Sequence, residues 1–263
     1  MRTVTATRYV TPLREGGSLP AVVEADDDGL YVLKFRGAGQ GAKALIAELV
    51  AGEIARALAL PIPEIVFVEL DTELARTEPD PEIQDLIRAS GGLNLGLDYL
   101  SGALAFDPLV DPTDPELASR IVWLDALVTN LDRTARNTNM LVWHRRLWLI
   151  DHGAALYFHH AGLGDPAAAA NPFPLIRDHV LLGAASCIGE VDAALAARLM
   201  RPVLERIVSL IPEAWLDDAP EAPPTPPGAS AADRAAYLDH FLRRLAAPRA
   251  FVTEAVRAHD AHV

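Results

Sequence analysis

At 263 residues the chain is long enough to bury a substantial core as one large domain or two lobes, and its formal charge of -13 excludes nucleic acid as a general partner, because most of the surface would repel a phosphate backbone. The single cysteine, Cys187, excludes an internal disulfide and a cysteine-based zinc site, which fits a reducing, cytoplasmic setting. The N-terminal MRTVTATRYVTPLREGG lacks an apolar signal core and no stretch approaches the roughly 18 apolar residues of a membrane span, so a soluble chain with no membrane partner is expected.

In chain order, TVTATRYV, PAVVEA and LYVLKF read as three strands of a meander, separated by REGGS and DDDG. Residues 42 to 59 place Leu45, Leu49, Ile54 and Leu58 near helical spacing and stop at Pro61 and Pro63, which predicts one amphipathic helix. IVFVEL (65 to 70) reads as a further strand, and TEPDPE with IQDLIRA as a loop and a short helix. At GGLNLG (91 to 96) the pattern breaks, so an inter-lobe connection is expected between about 88 and 100. Residues 115 to 131 form an apolar helix with proline near its first turn. NMLVWH and LWLID then read as a hairpin, and helices follow near 190 to 210 and 230 to 262, separated by the proline-rich APEAPPTPPG.

The stretch from Asn130 to Asn139, NLDRTARNTN, holds three of the five asparagines of the chain. Asparagine and aspartate between a helix and a strand are common turn and cap residues, so a purely structural loop is one reading. The other is phosphoryl transfer, which needs a carboxylate to orient a hydroxyl and oxygen ligands for Mg²⁺; Asp132, Asn137 and Asn139 are of those types. A two-residue turn at Arg145-Arg146 would set His144 opposite Leu147 and Met140 opposite Asp151, so that Asn137, Asn139 and Asp151 converge at one end of the hairpin. His144, His152, His159 and His160 match no standard zinc spacing. Only two of the 23 basic residues are lysines, Lys34 and Lys43, so a lysine inside the apolar strand LYVLKF hints at a wanted point charge; an edge lysine reaching to water is the bland alternative.

These residues resemble the HipA-like serine/threonine kinases, whose catalytic segment is also similar to that of phosphatidylinositol kinases. The likeness covers about residues 15 to 160 and lies in an aspartate, an asparagine five positions later and an aspartate after the next hairpin, here Asp132, Asn137 and Asp151. The resemblance implies that Asp132 orients the acceptor hydroxyl, that Asn137 and Asp151 hold Mg²⁺, and that Asp151-His152-Gly153 replaces the Asp-Phe-Gly of ordinary protein kinases. It implies further that Lys34 binds ATP and that Glu48, thirteen residues before Pro61, pairs with it, with Glu53 as the nearby competitor. Thr134 stands where the family often has histidine, and Gly16-Gly17-Ser18 is the best phosphate-loop candidate in the absence of a standard glycine-rich loop. The implied fold is α+β and two-lobed, with an antiparallel-sheet N-lobe and one main helix over 1 to 95 and a helical C-lobe over 96 to 263. The implied partners are ATP and a protein substrate.

Two other readings compete. Gly37-Ala38-Gly39-Gln40-Gly41 between a strand and a helix imitates a dinucleotide fingerprint, but the spacing is G-x-G-x-G and the acids Glu69 and Asp71 lie too far downstream. A kinase fold that binds nucleotide or a partner without transferring phosphate is the third.

Overall fold

The computed structural model describes residues 1–13, 19–39, 41–161, 163–216 and 229–262. Five strands, β1 (Thr3–Pro12), β2 (Ala21–Ala25), β3 (Leu30–Lys34), β4 (Ile65–Leu70) and β5 (Gly92–Asp98), close into a barrel in the order β1-β2-β3-β5-β4. The expected all-antiparallel meander is corrected at one seam, where Thr3, Val4 and Thr5 pair parallel with Phe67, Val68 and Glu69. Register shifts between Ala6 and Arg8 and between Tyr9 and Thr11 bend β1, so its first half serves β4 while the rest pairs with β2. Closure gives each of these five strands a neighbour on both sides. Val4, Val23, Tyr31, Leu33, Val66 and Val68 belong to its apolar cluster, with Ile83 and Ile87 of helix α2 (Pro81–Ala89).

The segment expected to connect two lobes is instead β5, the strand between β3 and β4. A boundary at residue 95 would therefore cut a strand that runs to Asp98. The misreading has a physical source: GGLNLG carries three glycines, yet Gly96 passes so close to β4 that an added Cβ would lie 2.7 Å from a Val68 methyl. A glycine at position 96 is what this close approach demands.

Helix α1 (Ala42–Ala57) sits between the barrel and the helical part. Eleven of its residues are buried, so it is a central helix rather than the amphipathic surface helix its spacing suggested. A Cβ at Gly52 would lie 2.5 Å from Ile65 Cδ1, which shows how closely α1 approaches β4. Arg120 and Arg198 both donate to the Leu58 carbonyl, at 2.7 and 3.2 Å, and satisfy the C-terminal end of α1.

Helix α3 (Pro115–Val128) starts at an Asp114 cap, whose carboxylate accepts from Leu117 N at 3.0 Å, and ends where Thr129 turns left-handed at φ 52. The short strand β6 (Leu104–Ala105) pairs with β7 (Met140–Trp143), and β7 with β8 (Arg146–Leu149). The hairpin turn is His144-Arg145, both at positive φ (48 and 62), not Arg145-Arg146; Met140 accordingly faces Leu149 rather than Asp151. Two left-handed residues match the twist of a two-residue hairpin, and neither is the usual Asn or Gly. Helices α4 (Phe158–Ala161), α5 (Pro166–Ala170), α6 (Ile188–Arg198), α7 (Arg201–Ser209), α8 (Glu213–Leu216), α9 (Ala229–Leu245) and α10 (Ala250–His262) complete the chain; APEAPPTPPG lies outside the described residues. No helix among the described residues is long and apolar enough to cross a membrane.

Where α4 meets α9, Phe158 stacks on His240 with centroids 3.5 Å apart, and His159 Nδ1 lies 3.0 Å from the Tyr237 hydroxyl. Burial, then His160 and Lys43, pushes His159 down to about 3. Burial, then Arg244 against a weaker opposing pull from Asp239, does the same to His240, also to about 3. Because both folded values lie below the ordinary unfolded value near 6.5, stability is present above that pH and is lost as pH falls toward the folded values. Lowering pH from 7.5 to 5.5 is expected to remove roughly 2–3 kcal/mol, read as a lower urea midpoint. His240→Phe should halve that dependence, and a midpoint indifferent to pH would contradict the buried neutral imidazoles.

Candidate active site

Strand β3 has partners on both sides, β2 and β5, so Lys34 is not an edge lysine. Its side chain is 12% exposed, and Nζ lies 2.5 Å from Asp151 Oδ1 and 3.5 Å from Glu48 Oε2. Glu48 projects from α1, is buried, and accepts from His152 N at 2.9 Å, with His152 Nδ1 3.4 Å from its other oxygen. Burial alone would lower the Lys34 ammonium, yet Glu48 and Asp151 hold it above the ordinary lysine value. Burial would likewise raise Glu48, but Lys34 and then His152 hold it below the usual carboxylate range. Glu53 instead pairs with Arg56 at 3.0 Å, which assigns the Lys34 partner to Glu48 on geometry.

The 130–139 loop is built around a second charge cluster. Asp132 N donates to Asn130 Oδ1 at 3.1 Å, and Asp132 Oδ2 accepts from Asn137 Nδ2 at 2.7 Å and Asn139 Nδ2 at 3.1 Å. Beneath it lies Asp125, fully buried in α3, which accepts from Arg133 Nε at 2.6 Å, from Asn130 Nδ2 at 3.0 Å and from His179 Nε2 at 2.9 Å. His179 Nδ1 accepts from Leu181 N at 3.0 Å, which leaves Nε2 as the protonated nitrogen facing Asp125. Burial would raise Asp125, but Arg133 and then His179 hold it well below the usual carboxylate range. Arg133 Nη1 reaches the Asn139 carbonyl, in a very short contact, and the Ile150 carbonyl at 3.4 Å. Ile150 N also donates to Asn139 O at 3.0 Å. Arg133 thus ties the loop holding Asp132 to the residue immediately before Asp151.

The predicted residues therefore fall into two groups. Lys34, Glu48 and Asp151 touch directly; Asp132 and Asn137 touch each other, and Arg133 with the Asn139–Ile150 bond bridges the groups. Asp151 stands at φ 54, a left-handed conformation uncommon outside glycine and tolerated by aspartate, which turns its carboxylate back toward Lys34 after β8 ends. Gly16, Gly17 and Ser18 lie outside the described residues. Sequence reasoning passed over Asp125, Arg133 and His179. A lone carboxylate within the apolar run IVWLDALV was a usable signal for Asp125, since a buried charge requires a partner. His179 is distant in sequence and offered none.

The donor set suits a hard cation. Asn137 spends its Nδ2 on Asp132 and keeps Oδ1, while Asp151 spends Oδ1 on Lys34, is 39% exposed, and keeps Oδ2. Among the described residues no three His, Cys, Asp or Glu side chains gather as a metal site. The glycines after β3 have structural work: Gly37 N donates to Ser90 Oγ at 3.0 Å, and Gly39 and Gly41 adopt φ 54 and 66. Strand β3 pairs antiparallel with both neighbours, so this turn does not belong to the parallel β-α-β unit of a dinucleotide fold.

Among solved structures the chain is similar to the Helicobacter pylori proinflammatory kinase CtkA, at a TM-score of 0.55 and 12% identity, with 99% of each chain covered. It is also similar to the Golgi casein kinase (TM-score 0.49, 12% identity, 99% of this chain and 73% of that one). For the Golgi casein kinase with Mn/ADP bound, the TM-score is 0.45 at 12% identity, with 97% and 75% covered. Comparison with curated protein sequences gives no match. The architecture shared with CtkA is a mixed α and β kinase fold. Residues 7–164, more than half of the chain, match the HipA-like kinases, and the chain belongs to that family.

Proposed function

We propose that this HipA-like kinase transfers the γ-phosphate of Mg²⁺-ATP to a hydroxyl, with a protein serine or threonine as acceptor. The observation that carries the reading is Lys34 Nζ placed between Glu48 and Asp151, with the Asp132–Asn137 pair tied to the same hairpin. In this reading residues 1 to 95, with the end of β5, form the nucleotide lobe, the remainder forms the acceptor lobe, and the cleft between them holds the reaction. Lys34, kept charged by two carboxylates, neutralises phosphate oxygens. Buried Glu48 fixes the position of Lys34. Asp132, held by two amides, accepts a hydrogen bond from the acceptor hydroxyl and aligns it for in-line attack; as the bond to phosphorus forms and the bond to the ADP oxygen breaks, the hydroxyl proton passes to its carboxylate. Asn137 Oδ1 and Asp151 would hold Mg²⁺, which when bound offsets the charge of the phosphate oxygens. Gly16, Gly17 and Ser18, between β1 and β2 in sequence, would cover the phosphates through backbone N–H groups. A cytoplasmic location accords with the single cysteine.

Thermal shift is the direct test. ATP with Mg²⁺ at about 100 times its Kd is expected to stabilise the fold by about 2.7 kcal/mol, a rise of several degrees in Tm. A Tm unmoved by ATP and raised by NAD would overturn the reading. A shift without transfer of label from γ-labelled ATP to casein or to the chain itself would instead mark a nucleotide-binding module.

A further inference from the structure

Lys34, Glu48, Asp151 and His152 close a ring of contacts. Lys34 Nζ lies 2.5 Å from Asp151 Oδ1 and 3.5 Å from Glu48 Oε2. The same Glu48 oxygen accepts from His152 N at 2.9 Å, and Glu48 Oε1 lies 3.4 Å from His152 Nδ1. Because His152 follows Asp151 in the chain, the ring holds Asp151 at two points, its own carboxylate and the residue after it. Both holds matter: Asp151 stands at φ 54, a conformation that persists only where its surroundings impose it. Beyond His152, Ala155 N donates to the His152 carbonyl at 2.9 Å and Leu156 N to the Val128 carbonyl at 2.7 Å, which anchors the following turn on the end of α3.

The His152 side chain is fully buried, and its Nε2 has no hydrogen-bond partner among the described residues. A buried nitrogen left unpaired costs stability, and an aliphatic side chain would fill the same space without that cost. The polar bonding of the ring is directed at Glu48 instead. Burial opposes the charge of that carboxylate, but Lys34 and then His152 keep it ionised. An ionised carboxylate only accepts, so the nitrogen facing it, Nδ1, carries the proton.

The two holds on Asp151 respond differently to nucleotide. On the reading proposed above, Lys34 turns to phosphate oxygens and Asp151 to the cation, so their direct contact opens. The contact of Glu48 with His152 involves neither phosphate nor cation and stays closed. We infer that His152 is a positioning residue: through Nδ1–H on Glu48 it keeps Asp151 turned toward the cleft while Lys34 is engaged with phosphate. The inference rests on the kinase reading and gives the histidine of Asp151-His152-Gly153 a task that an aliphatic side chain at the same place could not perform.

Asparagine and leucine are close in size, and asparagine Nδ2 occupies the place of histidine Nδ1, one bond beyond Cγ. Isothermal titration of the full chain with ATP, in Mg²⁺ and in EDTA, therefore isolates the hydrogen bond. Mg²⁺ is expected to tighten ATP binding by the wild type. That gain should shrink about tenfold or more in His152→Leu and stay within about threefold of the wild type in His152→Asn, whereas binding in EDTA, which relies on Lys34, stays within about twofold in both. If His152→Leu lowers the Tm, His152→Gln, whose amide sits one carbon farther out, takes its place and should lose the gain as well. Independently of nucleotide, long-range proton–nitrogen correlation spectra should show the His152 proton on Nδ1 and Nε2 bare. Equal losses in His152→Leu and His152→Asn, no loss in His152→Leu, or a proton on Nε2 alone would each overturn the inference and leave the kinase reading intact. A wild type that binds no ATP in Mg²⁺ would overturn that reading and the inference with it.

Discussion

Asp132→Asn is expected to retain ATP binding within a few-fold while cutting transfer of labelled γ-phosphate by roughly 10²–10⁴-fold, the usual contribution of a positioned acid or base. The asparagine keeps an oxygen for the Asn137 Nδ2 donor now 2.7 Å away, so the loop retains its shape while the carboxylate charge and its proton affinity are lost. Asp151→Asn should behave differently. That carboxylate is 2.5 Å from Lys34 Nζ and is assigned to hold the cation, so its neutralisation should weaken nucleotide binding and transfer together. Binding by isothermal titration and single-turnover labelling separate the two effects. Wild-type labelling by both variants, or an equal loss of binding in both, would refute the assignment of roles.

Arg133→Met is expected to destabilise the fold by about 3–5 kcal/mol, because it leaves Asp125 buried without its main counter-charge. Arg133 and Asp125 are both fully inaccessible at their side chains and their contact is 2.6 Å long. The pH dependence carries a distinct sign. Asp125 is held below its unfolded value, so its contribution is present above the ordinary carboxylate range near pH 4 and is lost as pH falls through the depressed folded value. Removing Arg133 withdraws the first of the groups that depress it, so the acid-unfolding midpoint should move to higher pH. Adding Asp125→Leu to Arg133→Met should recover part of the lost stability, since a neutral apolar pair leaves no buried charge uncompensated. Urea denaturation of the wild type and the two variants at pH 5 and pH 7.5 checks all of this. Variants as stable as wild type would show that the network carries no energy.

The Asp132-to-Asp151 segment was legible because its chemistry is local. An aspartate, an asparagine five positions on and an aspartate behind an apolar strand are written within twenty residues, as are β4 and the start of α1, where Ile65–Leu70 and Ala42 mark both reading and structure. Errors arose where neighbours decide. The turn composition of His144-Arg145 gave no hint of two left-handed residues, and the register slipped by two as a result. The glycines of β5 read as a linker, although Gly96 answers to the close approach of Val68 and Gly92 to its positive φ of 91.

The sequence by itself determined which residue types could do the chemistry, the order in which they occur and the family to which the chain belongs, because these depend on side-chain identity and short spacing alone. Only the tertiary structure decided that Glu48 rather than Glu53 meets Lys34, that Arg133 joins Asp125 to the hairpin, and that His179 completes that buried network. Those contacts join residues up to 54 positions apart, as between Asp125 and His179. Packing selects them: a charge removed from water must find its partner in whatever segment the fold brings beside it, and no local pattern in the chain records that choice.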